Sequence, residues 1–511
     1  MRKRYGVAAA ILALAVLAGV SKVETGGAST GDAKRYLVVF SGNYAVDGTY
    51  AVESTYAVLC NYAVASGYAV GCNYAVAHDY AVSLVTAAGG TVANDMLDQI
   101  GVLAVDSSNA LFAQALSAYA VVDEVGRDYA AGHVPGGGPE QTTDPLEATQ
   151  WGMAQIQAPD AHAIQAGSRN VDVGILDTGI DGAHLDFQDV TGGGSNVDCL
   201  RGHDSVGTLP PGVAVSNPVP CVDNAFHGTH VAGIVAAQAN SHGVVGVAPN
   251  VTLVPVKVCD SSGLCYASAV VDGITYAGEQ KLDVINMSFF VDDDSFQAST
   301  EFKCTDDPAQ QAFRKSVERA IQYARNQGVV AVAALGNSDQ DLAHPVNKDT
   351  GEPIPNSCDV VPAETSGVIG VAALGSQKQK ASYSNYGTGA VDVTAPGGTN
   401  SPTAGNPLTG VLSTFPGNTW AAISGTSMAS PHAAGVAALI VSQFGTLGAD
   451  GDVKMSPTSV ESILQGTTVD QGLSGYDECF GNGRINALRA VKKDTSKASD
   501  ATAPHCPEYS E

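Results

Sequence analysis

The stretch ISGTSMASPHAAGVAALI, residues 423–440, places Ser427 between a Gly-Thr pair and an apolar run that contains Pro431. The apolar run predicts a buried helix, and Pro431 is compatible with its first turn. Ser427 then stands at the helix start, where a serine often caps the helix. The same position suits a nucleophile, because the N-terminal N–H groups of a helix stabilise negative charge. This stretch alone leaves both interpretations open.

Strands and helices alternate over residues 148–490. Apolar runs such as VDVGILDTG, VTLVPVKV and VVAVAAL predict buried strands, and ASAVVDGITYAGEQ (267–280) predicts one of the helices between them. The alternation predicts an α/β fold, a mostly parallel sheet with helices on both faces. Polar residues at the strand ends should therefore meet at the carboxyl edge of the sheet, where such sheets bind ligands.

Two further motifs fall at that edge. DTGID begins at Asp177 after a predicted strand, and HGTHVAG begins at His227 and opens a helix. A serine hydroxyl needs a base to become a nucleophile, and a neutral imidazole is a suitable base near neutral pH. A carboxylate behind the imidazole fixes its tautomer. Asn337, just past another strand, can offer an amide N–H to the oxyanion beside Ser427.

Each motif alone has a simpler explanation. Asp177 could be a turn residue, Ser427 a helix cap, and the pair His227 and His230 half of a metal site, although no further ligands follow at suitable spacing. The conjunction of all three motifs, in this order, favours a protease active site.

In this order, DTGID, HGTHVAG and GTSMASPHAAG resemble the motifs of the subtilisin-like serine proteases (subtilases, peptidase family S8). The resemblance implies a subtilisin-like fold in which Asp177 orients His227, the general base and acid, and Ser427 is the nucleophile. Asn337 would be the oxyanion amide, and the second histidine of HGTHVAG would be structural. The implied activity is that of a monomeric serine endopeptidase, which cuts proteins or peptides through an acyl-enzyme without an organic cofactor.

A smaller domain precedes the peptidase. Residues 33–130 show a β-α-β-β-α-β order, which predicts an α+β ferredoxin-like domain. The region resembles the inhibitory propeptide of subtilases, which implies an intramolecular inhibitor. The Gly- and Pro-rich residues 131–147 are predicted to be a linker and processing segment, followed by the peptidase domain at 148–490 and a polar tail at 491–511. Self-cleavage is expected within the processing segment.

Residues 1–28 read as a secretory signal. Basic residues in MRKRYG precede the apolar run VAAAILALAVLAGV, which is too short to span a bilayer comfortably. A buried helix is the alternative. The signal predicts a secreted, extracellular zymogen that has no membrane partner once the signal is removed.

A Tyr-Ala-Val triplet recurs every six residues, starting at Tyr44 and ending with the triplet at Tyr80. On a helix this period would spread the tyrosines in three directions, whereas an extended chain would place them on one face. The repeat, at 42–82, is interpreted as an insertion in the first domain with no function of its own, and as extended chain it suits short hairpins or a small β-helix. An adhesive or binding array is the alternative.

Ten cysteines and the export signal predict disulfides. The simplest pairing of the eight that lie beyond residue 190 joins nearest neighbours. The pairs are Cys199–Cys221, Cys259–Cys265, Cys304–Cys358 and Cys479–Cys506.

The loop QANSHGVVGVAP resembles the calcium-binding loop of the subtilase family. The resemblance implies side-chain ligands Asp186 and Asn240, and Glu147 falls where the family places a Gln ligand. The remaining implied ligands are carbonyls of Gln238, His242 and Val244. Oxygen donors of this kind suit calcium, although an ordinary Gly-rich loop is the alternative.

One segment departs from the family pattern. After the INM strand, Ser288-Phe289-Phe290-Val291 replaces the usual Gly-containing sequence. The two rings either narrow the substrate pocket or pack elsewhere. A blocked, catalytically inactive binding scaffold is therefore the alternative function.

The charge balance limits the partners. The chain has 25 Lys and Arg against 51 Asp and Glu, a formal net charge of -26. Nucleic-acid binding needs a basic face to neutralise phosphates, so this composition argues against a nucleic-acid partner.

Overall fold

A computed structural model describes most of the chain between residues 33 and 500. The described residues are 33–41, 56–60, 72–76, 78–128, 130–133, 146–189, 194–208, 219–289, 308–346, 351–353, 359–399, 409–448, 451 and 453–500. The predicted signal segment, most of the predicted linker and the chain beyond residue 500 lie outside them.

Seven parallel strands form the central sheet, as predicted. Their side chains alternate between two cores: Val330 and Val332 face one side, and Ala331 and Ala333 face the other. The period of two is what a strand buried on both faces requires. The spatial order is β11 (His203–Asp204), β12 (Thr252–Lys257), β8 (Asp172–Asp177), β14 (Val284–Met287), β15 (Val330–Ala334), β16 (Val368–Leu374) and β17 (Val393–Pro396).

Helices cover both faces of this sheet, which confirms the predicted α/β fold. One face carries α4 (Trp151–Gln155), α5 (Ala158–His162), α6 (His227–Ala236), α9 (Thr426–Phe444), α10 (Pro457–Gly466) and α11 (Ala487–Lys492). The other carries α7 (Ala267–Glu279) and α8 (Pro308–Asn326).

Short paired strands complete the larger unit. They are β9 (Gln188–Asp189) with β10 (Gly194–Ser195), β18 (Val411–Phe415) with β19 (Thr419–Ile423), and β20 (Thr446–Leu447) with β21 (Val453–Lys454). A further pair joins β7 (Ala130–His133) to β13 (Leu264–Tyr266).

The smaller N-terminal unit contains a β-α-β-β-α-β order with two additions, a hairpin formed by residues 56–60 and 72–76 and a helical turn, α2 (Leu97–Ile100). Its antiparallel sheet has the order β4 (Thr91–Met96), β5 (Val102–Ser107), β1 (Lys34–Phe40) and β6 (Val122–Arg127). Helices α1 (His78–Ala87) and α3 (Phe112–Ser117) cover one face of that sheet.

The other face of the small sheet packs on the larger unit. Along β1, Val38 and Phe40 point to helices α1 and α3, whereas Leu37 and Val39 join the core that contains α7 and α8. Arg319 of α8 donates to the carbonyl of Phe40 at 2.8 Å. The sheet is therefore buried on both faces.

Part of the Tyr-Ala-Val segment is described. β2 (Tyr56–Cys60) and β3 (Cys72–Val76) form an antiparallel hairpin in which Cys60 lies opposite Cys72. The last triplet, which starts at Tyr80, belongs to helix α1 instead. The other triplets of this segment lie outside the described residues.

Two of the four predicted disulfides are present, Cys199–Cys221 and Cys259–Cys265. Their sequence separations are 22 and 6. Cys304, Cys358 and Cys506 lie outside the described residues, so the other two pairs stay predictions. Among the described residues, no helix has both the length and the apolar character needed to cross a membrane.

Candidate active site

Asp177 and His227 meet at the carboxyl edge of the sheet. Asp177 is the last residue of β8, and His227 is the first residue of α6. His227 Nδ1 lies 2.8 Å and 3.0 Å from the two carboxylate oxygens of Asp177, and both side chains are at most 1% exposed. The N–H of Thr178 also donates to Asp177 Oδ1 at 2.8 Å. The contact places the Nδ1 proton against the carboxylate and leaves Nε2 as the basic nitrogen.

Asp223, which the sequence motifs did not identify, holds these two elements together. Its Oδ1 accepts from the Thr178 hydroxyl at 2.9 Å and from the N–H groups of Ala225 and Phe226. Its Oδ2 accepts both the N–H and the hydroxyl of Thr229, at 2.8 Å and 2.7 Å. Burial raises the pKa of Asp223. An acidic residue just before a helix start was the available signal, because such residues often bond the first free N–H groups.

Two close approaches bring the elements of this region together. A β-carbon on Gly228 would lie 2.1 Å from the carbonyl oxygen of Gly179, so only glycine lets α6 reach the loop after β8. Phe226, which precedes His227, adopts a left-handed conformation with φ 77° and stacks on Phe415. Such a conformation is unusual for a bulky residue and marks a constrained turn.

Ser427 is the second residue of α9 and is fully buried. Its hydroxyl donates to the carbonyl of Ser288 at 3.0 Å, and the Ser288 hydroxyl donates to the carbonyl of Ser427 at 2.8 Å. Pro431 explains the second bond: it has no N–H to donate to the carbonyl four residues earlier, so Ser288 satisfies that carbonyl instead. Pro431 is the sixth helical residue and lies beyond the first turn in which the sequence suggested it.

Asn337 lies beside the start of α9. Its Oδ1 accepts from the N–H and the hydroxyl of Thr426, at 2.8 Å and 2.9 Å. These bonds orient the amide so that its NH₂ group faces away from Thr426. Asn337 Nδ2 and the backbone nitrogen of Ser427 both lie 3.6 Å from the point that a β-carbon on Gly425 would occupy. The two predicted oxyanion donors therefore border one space.

The structure brings some of the predicted residues together and leaves one contact unmade. Asp177 binds His227, and Asn337 and Ser427 border one space. No hydrogen bond joins His227 to Ser427: His227 Nε2 is buried and has no hydrogen-bond partner among the described residues, while the Ser427 hydroxyl donates to the carbonyl of Ser288. Catalytic hydrogen bonds are often incomplete before substrate binds, so this geometry is compatible with a base and a nucleophile in a resting arrangement.

Two other buried histidines differ from His227. His230 lies 3.0 Å from the carbonyl of Ala421 through Nε2, and His432 lies 2.8 Å from the carbonyl of Met428 through Nδ1. Burial lowers the pKa of His230 to about 3 and that of His432 to about 4. Both stay neutral near neutral pH, which fits the structural role expected for His230.

The described part of the unusual Ser288-Phe289-Phe290-Val291 segment does not block the site. The Phe289 side chain is 1% exposed and lies in the core with Phe313 of helix α8. For this ring, the expectation that it packs elsewhere is confirmed. Phe290 and Val291 lie outside the described residues.

The residues predicted to bind calcium lie close together. The N–H of Val244 donates to Asp186 Oδ2 at 2.9 Å, and the N–H of Leu146 donates to the carbonyl of Gly243 at 2.8 Å. The 238–244 loop is thus joined both to Asp186 and to the segment that contains Glu147. The residues of the predicted set therefore share one region of the surface.

Some side-chain oxygens in this region already accept hydrogen bonds. Asp186 Oδ2 also accepts from Trp420 Nε1 at 2.6 Å, Asn240 Oδ1 from the N–H of His242 at 3.0 Å, and Gln238 Oε1 from Arg169 at 3.0 Å. Asp186 Oδ1 is buried and accepts no hydrogen bond from the residues that the structure describes, and burial raises the pKa of this carboxyl.

Calcium needs six to eight oxygen ligands. Besides Asp186 Oδ1, the Glu147 carboxylate and the carbonyls of His242 and Val244 are not engaged by the bonds described above, so calcium binding stays a prediction. Trp420, which the sequence interpretation did not take into account, competes for this site. Its indole N–H, buried against Val244, donates to the second carboxylate oxygen of Asp186.

The comparisons with known proteins agree with this geometry. The model of the subtilase family matches residues 168–483. Subtilisin DY of Bacillus licheniformis is 37% identical over 346 residues, which cover 68% of this chain and 100% of the relative. Thermitase of Thermoactinomyces vulgaris is 33% identical over 349 residues, which cover 68% of this chain and 97% of the relative.

Solved structures share the fold at lower identity. The epidermin leader peptide processing serine protease of Staphylococcus aureus has a TM-score of 0.65 at 18% identity, with 92% of this chain and 100% of that chain covered. A lanthipeptide protease has a TM-score of 0.53 at 24% identity, with 69% and 99% covered. The family match and the identity to the subtilisins go further than fold, and they show that this chain belongs to the subtilase family of serine proteases.

Proposed function

We propose that the protein is a secreted serine endopeptidase, made as a self-processing zymogen, whose catalytic residues are Asp177, His227, Ser427 and Asn337. The observation that carries the proposal is the buried contact between Asp177 and His227 Nδ1, 2.8 Å long, at the carboxyl edge of the sheet. Nε2 has no hydrogen-bond partner within the described part of the chain and is able to take a proton.

The reaction begins with a rotation of the Ser427 side chain. The hydroxyl leaves the carbonyl of Ser288 and donates to His227 Nε2. As Ser427 Oγ forms a bond to the substrate carbonyl carbon, its proton passes to Nε2. Asp177 stabilises the resulting imidazolium.

The oxyanion of the tetrahedral intermediate accepts hydrogen bonds from the N–H of Ser427 and from Asn337 Nδ2. The peptide C–N bond then breaks, and the leaving amine takes the proton from His227. Water, deprotonated by His227, attacks the acyl-enzyme. The acid product leaves, and the proton returns to Ser427.

The zymogen part of the proposal rests on contacts of the N-terminal unit. The Asp128 carboxylate accepts from the N–H of Ser268 at 3.0 Å and also from its hydroxyl, at the start of α7. Directly after Asp128, strand β7 pairs with β13 of the larger unit. Residues 33–130 thus direct the following segment along the peptidase, as an intramolecular inhibitor would. Export through residues 1–28 and cleavage within 131–147 complete the proposed maturation.

Labelling with a fluorophosphonate probe tests the function. The mature protein should be labelled, and the Ser427→Ala variant should not. Ser459→Ala, which alters an exposed serine of α10, should be labelled normally. The Ser427→Ala precursor should also remain uncut, which reports self-processing separately. A folded, mature wild-type protein that fails to react would support the blocked binding scaffold.

A further inference from the structure

Strand β13 is the element of the larger unit that pairs with the start of the processing segment. It pairs antiparallel with β7, in a register that places His133 opposite Leu264 and Gly132 opposite Cys265. The two strands form a sheet of their own. Once the processing segment has left, the backbone groups of β13 are available to another extended chain, which is how a strand is added to a sheet edge.

A short covalent loop shapes this edge. The disulfide Cys259–Cys265 spans a sequence separation of 6 and lies with both cysteines fully buried. Asp260 Oδ1 supports the turn by accepting from the N–H groups of Ser262 and Leu264, at 2.8 Å and 3.0 Å. The edge strand therefore begins at a closed turn instead of an open loop.

The first cysteine of this loop is hydrogen-bonded to the backbone of Asp177, whose side chain is the candidate catalytic carboxylate. The N–H groups of Val258 and Cys259 both donate to the backbone carbonyl of Asp177, at 2.9 Å and 3.1 Å. The disulfide thus continues a path from the backbone of Asp177, through Cys259 and Cys265, to the strand that pairs with a peptide.

We infer that Cys259 and Cys265 are positioning residues for the substrate: their disulfide holds the peptide-binding edge β13 in register with the Asp177–His227 pair. The inference rests on the proposed peptidase function. A preorganised edge binds an extended peptide without first paying the cost of ordering the loop. Chemistry at Ser427 does not need that edge once the acyl group is in place.

Two substrates separate peptide binding at β13 from the chemistry at Ser427. An extended tetrapeptide anilide can pair with β13, whereas p-nitrophenyl acetate has no backbone to do so. In the mature Cys259→Ala/Cys265→Ala variant, we expect KM for the anilide to rise roughly tenfold, equivalent to about 1.4 kcal/mol. Its kcat should stay within about twofold of wild type, and ester hydrolysis should be unchanged.

The Cys199→Ala/Cys221→Ala variant is the matched control, because it also removes a disulfide but leaves β13 untouched. Its KM for the anilide should stay within about twofold of wild type. If the first variant does not fold, Cys259→Val/Cys265→Ala refills the buried volume without the cross-link.

An unchanged KM for the anilide in an active variant would overturn the inference and leave the proposed function intact. So would equal losses with both substrates, or the same rise in the control. A wild-type protein that hydrolyses neither substrate would overturn the proposed function itself, and the inference with it.

Discussion

At the scale of single residues, Asp223 shows how one buried carboxylate can set the relative positions of Asp177 and His227. It takes part in neither proton transfer nor bond formation. By accepting hydrogen bonds from Thr178 and Thr229, it ties the loop after Asp177 to the helix that begins at His227.

Replacing Asp223 with Asn should therefore impair catalysis through position. The NH₂ group of asparagine cannot accept the bonds that one carboxylate oxygen accepts, so we expect kcat to fall roughly 10- to 100-fold. In the Ser427→Ala background, the free energy of unfolding should fall by about 2–4 kcal/mol. Asp477→Asn is the control, since Asp477 accepts three backbone N–H bonds in a distant turn. It should lose stability but keep kcat; a similar kcat for both variants would contradict the positioning role.

Trp420 gives a second prediction at this scale. Trp420→Phe keeps an aromatic ring but removes the N–H that binds Asp186, and a bond to a charged acceptor contributes about 1.5–3 kcal/mol. The free energy of unfolding should fall by that amount. The other tryptophan is the control: Trp151 donates to the neutral carbonyl of Gly410 at 2.7 Å, so Trp151→Phe should cost about 1 kcal/mol.

The same unfolding measurements test the calcium prediction. We expect wild-type Tm to be several degrees higher in calcium chloride than in chelator, because a ligand that binds only the folded state stabilises it. The same Tm within about 1 °C in both would show that the bond from Trp420 keeps the cation from Asp186 and that the calcium prediction is wrong.

At the scale of elements, helix α9 carries a titratable group that makes stability depend on pH. His432 is buried, with its pKa lowered to about 4 from an ordinary 6.5. Between these values the unfolded chain binds a proton that the folded chain does not. Stability from this group is fully present above pH 6.5 and falls by about 1.4 kcal/mol per pH unit below it. His432→Gln should remove this share of the slope, while the share of His230, whose pKa is also lowered, remains. Urea unfolding at pH 6.5 and 5.0 in the Ser427→Ala background measures the difference.

Glu364 provides a control, because its effect on stability changes with pH in the opposite direction. Burial raises its pKa to about 7, so its contribution to stability is present at low pH and is lost as pH rises from about 4.5 to 7. With Glu364→Gln, the free energy of unfolding should fall more steeply between pH 6.5 and 5.0 than in wild type. With His432→Gln, it should fall less steeply. Equal slopes in all three proteins would contradict both assignments.

The elements themselves were largely predictable, because each depends on a local pattern. Strand β15 follows from an apolar run, and helix α6 from its motif at His227. Contacts between distant segments were not predictable in the same way. The indole of Trp420 reaches Asp186 across more than 200 positions of sequence, and the direction of Phe289 depends on a core built partly by helix α8. The resting bond from Ser427 to Ser288 likewise depends on how β14 meets α9.

At the scale of the whole molecule, charge distribution links the two units. The chain is strongly acidic, with a net charge of -26. Helix α8 nevertheless presents two cations to the N-terminal unit: Lys315 lies 3.0 Å from Glu124, and Arg319 lies 3.4 Å from Asp123 and donates to the carbonyl of Phe40. These partly exposed pairs cross the boundary between the proposed inhibitor and the peptidase.

Docking of the N-terminal unit should therefore depend on salt. Partly exposed ion pairs weaken as ionic strength rises, each contributing up to about 1 kcal/mol. During maturation of the full chain, the lag before peptidase activity appears should shorten in 1 M sodium chloride, and it should shorten in Lys315→Ala/Arg319→Ala already at low salt. Arg314→Ala is the matched control on the same helix, because Arg314 pairs with Glu318 and Asp359 within the peptidase. Its lag should equal that of wild type. If the double variant kept the wild-type lag at low salt, the cations of α8 would not hold the inhibitor, and the apolar face formed by Leu37 and Val39 would be sufficient for docking.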